Sequence, residues 1–514
     1  MFARPVRGAG HKFYEALNAL LAEARFDEFV EEQCAPHYGA DDAPGRPSIP
    51  PGVFFRMHLV GYFEGIGSER GIAWRCADSI SLRDFLGLPL HVATPDQSIL
   101  SRTRRRLPAE VFESVFQKVL GIVASKGLLK GRVRGVDSTY LKADASMKSI
   151  VRKDSGDGYG EYIKRVTTED QAAAEKLDDD ANDKDDDGPA PPSSLATLPQ
   201  DGEAAQLNAN EPARTDRAAD EEPQRRKATT EEAVRHDRRR KKTTSNRDWR
   251  SPTDPDARIT RMKNGTTRLA YKPEHVVDME TGVILGAEVF LGDEHDASTL
   301  QRSLAAAEKH LTTLRPHVVD EPEPACEAWH KEPIAEVVAD KGYHKVTTLL
   351  ELKKQGYRTF IPERKQRGRR KFIDKGGTAA AQAFHGNRAR TLRAKGKAHQ
   401  RRRGEMLERP NQHLYDRTGM RNLTLQGRGE IQKRVLMQAM GFNLGAVLRR
   451  TLGAGAPKWL AVLMARLAAL LNALCSPSRW RLRLGRLAPR AVLRAAPLAI
   501  RVLEVEARIL PSAC

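Results

Sequence analysis

The order of apolar runs in this chain predicts an α/β fold: a mixed sheet flanked by helices, with an all-helical domain before it and a disordered insert within it. Three observations carry the prediction. Apolar residues recur at helical spacing over 11–34 and 53–63. Two later apolar runs, 131–139 and 334–339, read as strands, and each meets an aspartate at its C-terminal end, Asp137 and Asp340. Between them, residues 169–224 are polar and biased, with acidic blocks at 178–180 and 185–187, and cannot assemble a core. The boundaries that follow are a helical domain over 1–125, an α/β domain over 130–168 and 251–450, the insert over 169–250, and an Arg/Leu-rich extension over 451–514.

In chain order, Phe13, Leu17, Leu20, Leu21 and Phe26 form the stripe of one helix over 11–34. The Gly-Arg-Pro-Ser-Ile-Pro-Pro stretch at 45–51 is a rigid turn, and Ser68 opens a further helix containing Trp74. A Thr or Ser cap then precedes a helix carrying Arg102, Arg104, Arg105 and Arg106, which resembles the recognition helix of a helix-turn-helix. Beyond the insert, residues 225–250 are basic with Trp249 near their end, a pairing that suits phosphate contact and stacking. Residues 266–278 and 283–291 alternate as a hairpin, and Asp296 caps a helix with Leu300, Leu304, Ala307, Leu311 and Leu314 on one stripe. After Asp340 come a helix with Val346, Leu349, Leu350 and Leu352, a stop at Gly356 and a strand over 357–361. A helix from about 398 carries Glu405 and Glu408, and a last one covers 430–450. Strand, insert, hairpin, helix, strand, helix, strand is the order of an RNase H-like sheet. Its first and fourth strands are neighbours, which brings Asp137 and Asp340 together.

Charge narrows the partners. The 514 residues hold 86 Lys+Arg against 67 Asp+Glu, a formal net charge of +19, and a surplus of that size calls for a polyanion. Arginine runs favour nucleic acid over a membrane surface. Besides the 102–106 group they include Arg364, Arg367, Arg369 and Arg370, and then Arg401 and Arg402 at the end of the basic stretch 388–403. The five cysteines are far apart and form no Cys-x-x-Cys pair, which fits a reducing cytoplasm and neither a disulfide framework nor a zinc site. No signal peptide is read at the start, and the apolar stretch 459–475 carries Arg466 in its middle, so it reads as a buried or amphipathic helix and not a membrane span.

Two aspartates on adjacent strands and a glutamate from a following helix can hold two Mg²⁺ or Mn²⁺ ions, because Mg²⁺ keeps most of its waters and asks for few carboxylates. Such a site suits in-line displacement at phosphorus by water or a 3′-hydroxyl. No Walker-type loop for a nucleotide cofactor is found. Asp254 and Asp256 flank Pro255, which favours a turn.

The motifs resemble those of the DDE transposases of bacterial insertion sequences. Gly-Arg-Pro-Ser-Ile-Pro-Pro at 45–51, Phe-Arg-Met at 55–57 and Gly-Tyr-Phe-Glu-Gly-Ile-Gly-Ser-Glu-Arg-Gly at 61–71 carry the likeness in the first domain. Gly-Val-Asp-Ser-Thr at 135–139, Asp-Pro-Asp-Ala-Arg at 254–258, Val-Val-Ala-Asp-Lys-Gly-Tyr-His at 337–344, Gly-Met-Arg at 419–421 and Gly-Phe-Asn-Leu-Gly at 441–445 continue it. The resemblance implies catalytic, metal-holding roles for Asp137, Asp340 and a third acid. That acid aligns with Glu408; Glu405 and Glu430 remain open, because Gly404 and Tyr415 stand where related transposases carry an arginine and a lysine. It also implies an N-terminal DNA-binding domain, inverted-repeat binding, cleavage and strand transfer on double-stranded DNA without ATP, and a homodimer on DNA. A catalytically silent DNA binder and a structure-selective nuclease are the alternatives.

Overall fold

The computed structural model describes residues 11–38, 49–162, 164–165, 245–318, 335–364, 372, 376–457 and 467. The readings of 45–48, of 169–244, of Arg367, Arg369 and Arg370, and of 459–475 apart from Leu467 lie outside them. The chain divides into two compact units, Met1–Ala145 with Thr253–Cys514, and Ser146–Pro252.

Among the described residues the first unit opens with the α-helices α1 (Lys12–Glu23), α2 (Phe26–Cys34), α3 (Pro51–Glu64), α4 (Glu69–Asp78), α5 (Ile80–Phe85), α6 (Gln97–Arg106) and α7 (Ala109–Ser125). The single helix expected over 11–34 is two. Arg25 takes a left-handed conformation, φ 49°, and the break re-aims the chain so that Phe26 and Val30 enter the core. Ser68 does cap α4, accepting from the Gly71 amide. α6 is capped not by Thr or Ser but by Asp96, whose Oδ1 accepts from Ile99 N at 2.9 Å.

The sheet follows the expected order. Strand β1 (Val133–Ser138) and the short β2 (Leu141–Lys142) precede the insert; β5 (Arg258–Arg261), β6 (Thr267–Asp278), β7 (Ile284–Leu291), β8 (Glu336–Ala339) and β9 (Arg358–Phe360) follow it. The central strand β6 pairs antiparallel with β1, β2, β5 and β7, while β1 pairs parallel with β8 and β8 with β9. Helices α8 (Asp296–Val318), α9 (Val346–Lys354), α10 (Gly377–Leu392), α11 (Ala394–Asn411) and α12 (Arg428–Leu452) complete the unit. Here α10 was missed and α11 starts before 398, because Gly and Arg interrupt the apolar stripe that sequence reading depends on.

Helix α12 is buried on nearly all sides, between β7 and helices α3 and α7. Two of its buried amides complete the neighbouring strand, while Gln438 Oε1 is buried with no hydrogen-bond partner among the described residues. Asn443 accepts from Ile284 N at 2.9 Å and donates to Ile284 O at 2.8 Å, and Gln432 does the same for Val289 N and Ala287 O, both at 2.7 Å. These amides complete backbone groups of β7 that would otherwise be stranded. Asp254 and Asp256 bind the other end of the same helix: Asp254 Oδ1 accepts from Gly427 N and Tyr271 Oη, and Asp256 from Arg428 N at 3.0 Å. Among the described residues no helix is long and apolar enough to cross a membrane.

The second unit contains β3 (Val151–Arg152) paired with β4 (Trp249–Arg250). Trp249 is buried against Tyr159 and Tyr162, with the Arg152 guanidinium 5.7 Å from its ring, so it is a core residue and not an exposed stacking surface.

Removing the Asn443 amide strands two buried backbone groups at about 1–3 kcal/mol each. Asn443→Ala should therefore cost about 2–5 kcal/mol in chemical denaturation, whereas the exposed Arg105→Ala should stay within about 0.5 kcal/mol of wild type.

Candidate active site

Parallel pairing sets the site. Val133 to Val136 run opposite Glu336 to Ala339 in register, so Asp137 and Asp340 are the next residues at the same end of adjacent strands. Asp340 caps a short 3₁₀ turn, Lys341–Tyr343, accepting from Gly342 N at 3.1 Å. That turn is pinned from two sides. Tyr343 Oη donates to the buried Glu274 at 2.9 Å, and Glu274 also accepts from Ser303 and Thr299, while burial pushes its carboxyl up to about 7. Arg364 clamps the outer side, donating to the carbonyls of Lys341 and Gly342 at 2.9 and 2.7 Å. A Cβ on Gly342 would lie 2.4 Å from Asp296 Oδ2, so only glycine lets Asp296 sit this close. Asp296 in turn accepts from Ser138 and from the buried Lys272, both at 3.1 Å.

Helix α11 closes over the strand ends. A Cβ on Gly135 would meet Met279 Sδ at 2.5 Å and Leu407 Cδ2 at 2.9 Å, so the glycine in β1 permits the helix to approach. Gln400 anchors it, donating to Phe360 O at 2.7 Å. Asn411 Nδ2 then donates to Asp137 Oδ2 at 3.2 Å, and Arg403 stands 4.0 Å from Asp137 Oδ1. Beyond Asn411 the helix widens into a π-helical turn, Gln412–Asp416, that brings Tyr415 Oη to 2.5 Å from Nε2 of His275, the β6 partner of Asp137. Burial holds His275 down to about 3, so it is a neutral strut. Sequence reasoning missed Asn411, His275 and Tyr415. Only their spacing from Leu407 and Asp137 could have pointed to them.

Burial, aided by Asp340, pushes the Asp137 carboxyl up to about 6, against the pull of Arg403 and Lys263. Asn411 Oδ1 is buried with no hydrogen-bond partner. Two carboxylates and an orphaned amide oxygen at one spot are the donor chemistry of a hard divalent cation. Among the described residues no three His, Cys, Asp or Glu side chains converge closely enough to hold an ion as they stand.

The three glutamates differ in their engagements. Glu430 is bound by Arg104 and Lys433. Glu405 pairs with Arg409 at 2.9 Å and, at about 100° per residue, points about 160° from Leu407. Glu408 is exposed, about 100° from Leu407, and makes no ion pair or hydrogen bond among the described residues. The arginines sort similarly. Arg104 is 4% exposed and locked between Glu69 and Glu430, which removes it from the outward basic face expected of α6. Arg102, Arg105 and Arg106 are exposed there, Arg106 over the Tyr38 ring. Arg401 and Arg402 are exposed on α11, Arg402 donating to Glu280 O.

Two family models match the chain. One, described as Transposase domain (DUF772), matches residues 6–106; the other, Transposase DDE domain, matches 236–480. The second span contains Asp340 and all three glutamates, while Asp137 lies between the two spans. No curated protein and no solved structure matches.

An aspartate with a raised folded value stabilises the fold fully below its unfolded value and loses that contribution as pH rises through the folded one. Without metal, the fold therefore loses stability through Asp137 as pH rises from about 4 to 6, and the whole of that cost persists above about 6. Asp137→Asn should gain about 1–3 kcal/mol over wild type between pH 4.5 and 7.5, measured by denaturation in EDTA.

Proposed function

Because the chain belongs to the DDE transposases of insertion-sequence type, metal-dependent enzymes that act on DNA, we propose that it binds the inverted-repeat ends of its element, nicks them and joins the 3′-hydroxyls to target DNA. The observation that carries this reading is the parallel β1–β8 register, with Asp137 and Asp340 next in line at one end of the sheet.

In this reading Asp137, Asp340 and Glu408 hold two Mg²⁺ or Mn²⁺ ions, whose charge when bound favours deprotonation of the attacking oxygen and supports the leaving 3′ oxygen. The protein's own contribution is preorganisation. Asn411 and Arg403 fix the Asp137 carboxylate by hydrogen bond and charge. The Tyr343–Glu274 contact and the Arg364 clamp hold the Asp340 turn. Among the described residues Glu408, unlike Glu405 and Glu430, has no partner to leave before joining the aspartates, which supports it as the third acid. Exposed Arg102, Arg105 and Arg106 on α6, and Arg401 and Arg402 on α11, supply positive charge for phosphates, with Arg367, Arg369 and Arg370 in the same role. Two ends require at least two protomers, hence a homodimer on DNA. Phosphoryl transfer between DNA strands needs no nucleotide cofactor, and the cytoplasm is where the DNA lies.

The test is cleavage and strand transfer on a duplex carrying the repeat that flanks the gene, with Mg²⁺ or Mn²⁺. Asp137→Asn, Asp340→Asn and Glu408→Gln should each lower both reactions by about a thousandfold or more while DNA binding persists. Retained activity in Glu408→Gln moves the third acid to Glu405 or Glu430. A wild type that binds the ends and never cuts them makes this a silent DNA binder.

A further inference from the structure

A second basic site lies on the other side of α11. Arg403, Leu407 and Asn411 face β1, whereas Met406, Arg409, Pro410 and His413 line a cleft of about 870 Å³. The end of α3, the π-helical turn and the C-terminal part of α12 form its other walls, contributing Tyr62, Arg417 and Arg449.

Its charge is one-sided. Arg409, Arg417 and Arg449 converge on it, Arg409 already paired with Glu405 at 2.9 Å, and among the described residues the only carboxylate in its lining is Glu64, held by Tyr14 Oη at 2.9 Å and by Arg75 at 3.7 Å. Among the described residues Arg417 and Arg449 have no carboxylate partner, and Arg449 lies over the Phe442 ring at 5.7 Å. The crowding is felt locally. Burial and the three arginines hold His413 down to about 4, and burial with Arg409 and Arg417 lowers Arg449. Cations gathered without counter-charge cost stability unless an anion joins them. Arg402, seven residues before Arg409 and so on the same side of α11, extends the basic line to about 10 Å between Arg402 and Arg409, longer than one phosphate needs.

We infer that this cleft seats the phosphodiester backbone of duplex DNA in a sequence-independent contact, separate from the strand-end carboxylates. The inference rests on the reading of the protein as an enzyme that works on DNA. Guanidinium groups match phosphate oxygens in pairs, and the apolar floor of Tyr62, Phe63 and Phe442 raises the value of each such contact by excluding water. DNA held here would run past α11 on the side opposite Asp137.

The experiment is binding of a random-sequence duplex by fluorescence anisotropy over a range of NaCl, in EDTA so that no cleavage intervenes. The full-length protein is compared with Arg417→Ala/Arg449→Ala and with Arg417→Lys/Arg449→Lys. Each lost phosphate contact lowers the slope of log affinity against log salt by about 0.9. The alanine pair should lower it by about two and weaken binding at least about tenfold at 0.15 M salt, and the lysine pair should keep most of both. Because the alanine pair also removes packing, exposed Arg417→Glu is measured beside it and should weaken binding in a protein with an unchanged melting midpoint. Unchanged slope and affinity in all three variants overturn the cleft while leaving the transposase reading intact. A slope lowered in the alanine pair, beside a wild type that never cleaves its ends, upholds the cleft and overturns the transposase reading. A wild type with no affinity for duplex DNA overturns both.

Discussion

The whole site depends on one pairing, β1 beside β8 in parallel register. An antiparallel or shifted neighbour would send the residue after Ala339 to the far end of the sheet or to its other face, because strand side chains alternate with period two. Parallel neighbours cannot be joined by a short turn; here the crossing takes in a hairpin and α8. Two carboxylates 203 positions apart in sequence (340 − 137) are therefore brought to one end of the sheet by a connection that runs through β6, β7 and α8. The burial of β6, whose residues from Leu269 to Asp278 are nearly all inaccessible, roots that connection in the core. The end of the sheet that carries Asp137 and Asp340 is an outgrowth of the core.

Close approach is the second constraint, and two glycines supply it. Gly135 gives up a side chain so that Leu407 and Met279 can occupy the space above β1, which places the polar residues one turn to either side of Leu407, Arg403 and Asn411, against Asp137. Gly342 gives up a side chain so that Asp296 can press on the turn capped by Asp340. The result is a pocket of carboxylates in which burial and like charge hold Asp137 above its ordinary value. Such an arrangement opposes folding when empty, and its persistence is consistent with a site selected for binding a cation and not for stability.

Much of this was legible in the sequence, for reasons that can be named. The β6–β7 hairpin alternates well enough to be read and its turn residues are local, so its limits came out within a residue or two. Asp137 and Asp340 end apolar runs, a signal contained in ten residues. What was not legible is what depends on distant partners. Arg104 reads as an outward basic residue in its own helix; that it is buried follows from Glu430, 326 positions away. Asp254 and Asp256 look like turn residues, and their backbone partners, Gly427 and Arg428, cannot be inferred from their neighbourhood. The π-helical turn that sets Tyr415 on His275 has no compositional marker, and neither does the left-handed Arg25 that divides the first helix.

The fate of the arginines explains how a chain with a net charge of +19 folds at all. Three of those that face inward are matched by acids, Arg56 by Asp27, Arg104 by Glu69 and Glu430, and Arg134 by Glu308, while Arg83 is held by the carbonyls of Pro89, Leu90 and Val92. Arg434 is completely enclosed, held by the neutral ring of His58 and the Gly67 carbonyl, and burial lowers it to about 10. Its guanidinium remains charged at neutral pH and ties α12 to α3, a use for positive charge that has nothing to do with DNA. A buried cation must be paired or fully hydrogen-bonded, so the interior absorbs acids in near equal number and leaves the surplus outside. The surplus of positive charge therefore lies at the surface. It collects where acids are scarce, on α6, along α11 and around the cleft behind it, and these are the surfaces from which a polyanion displaces the most unfavourable charge crowding.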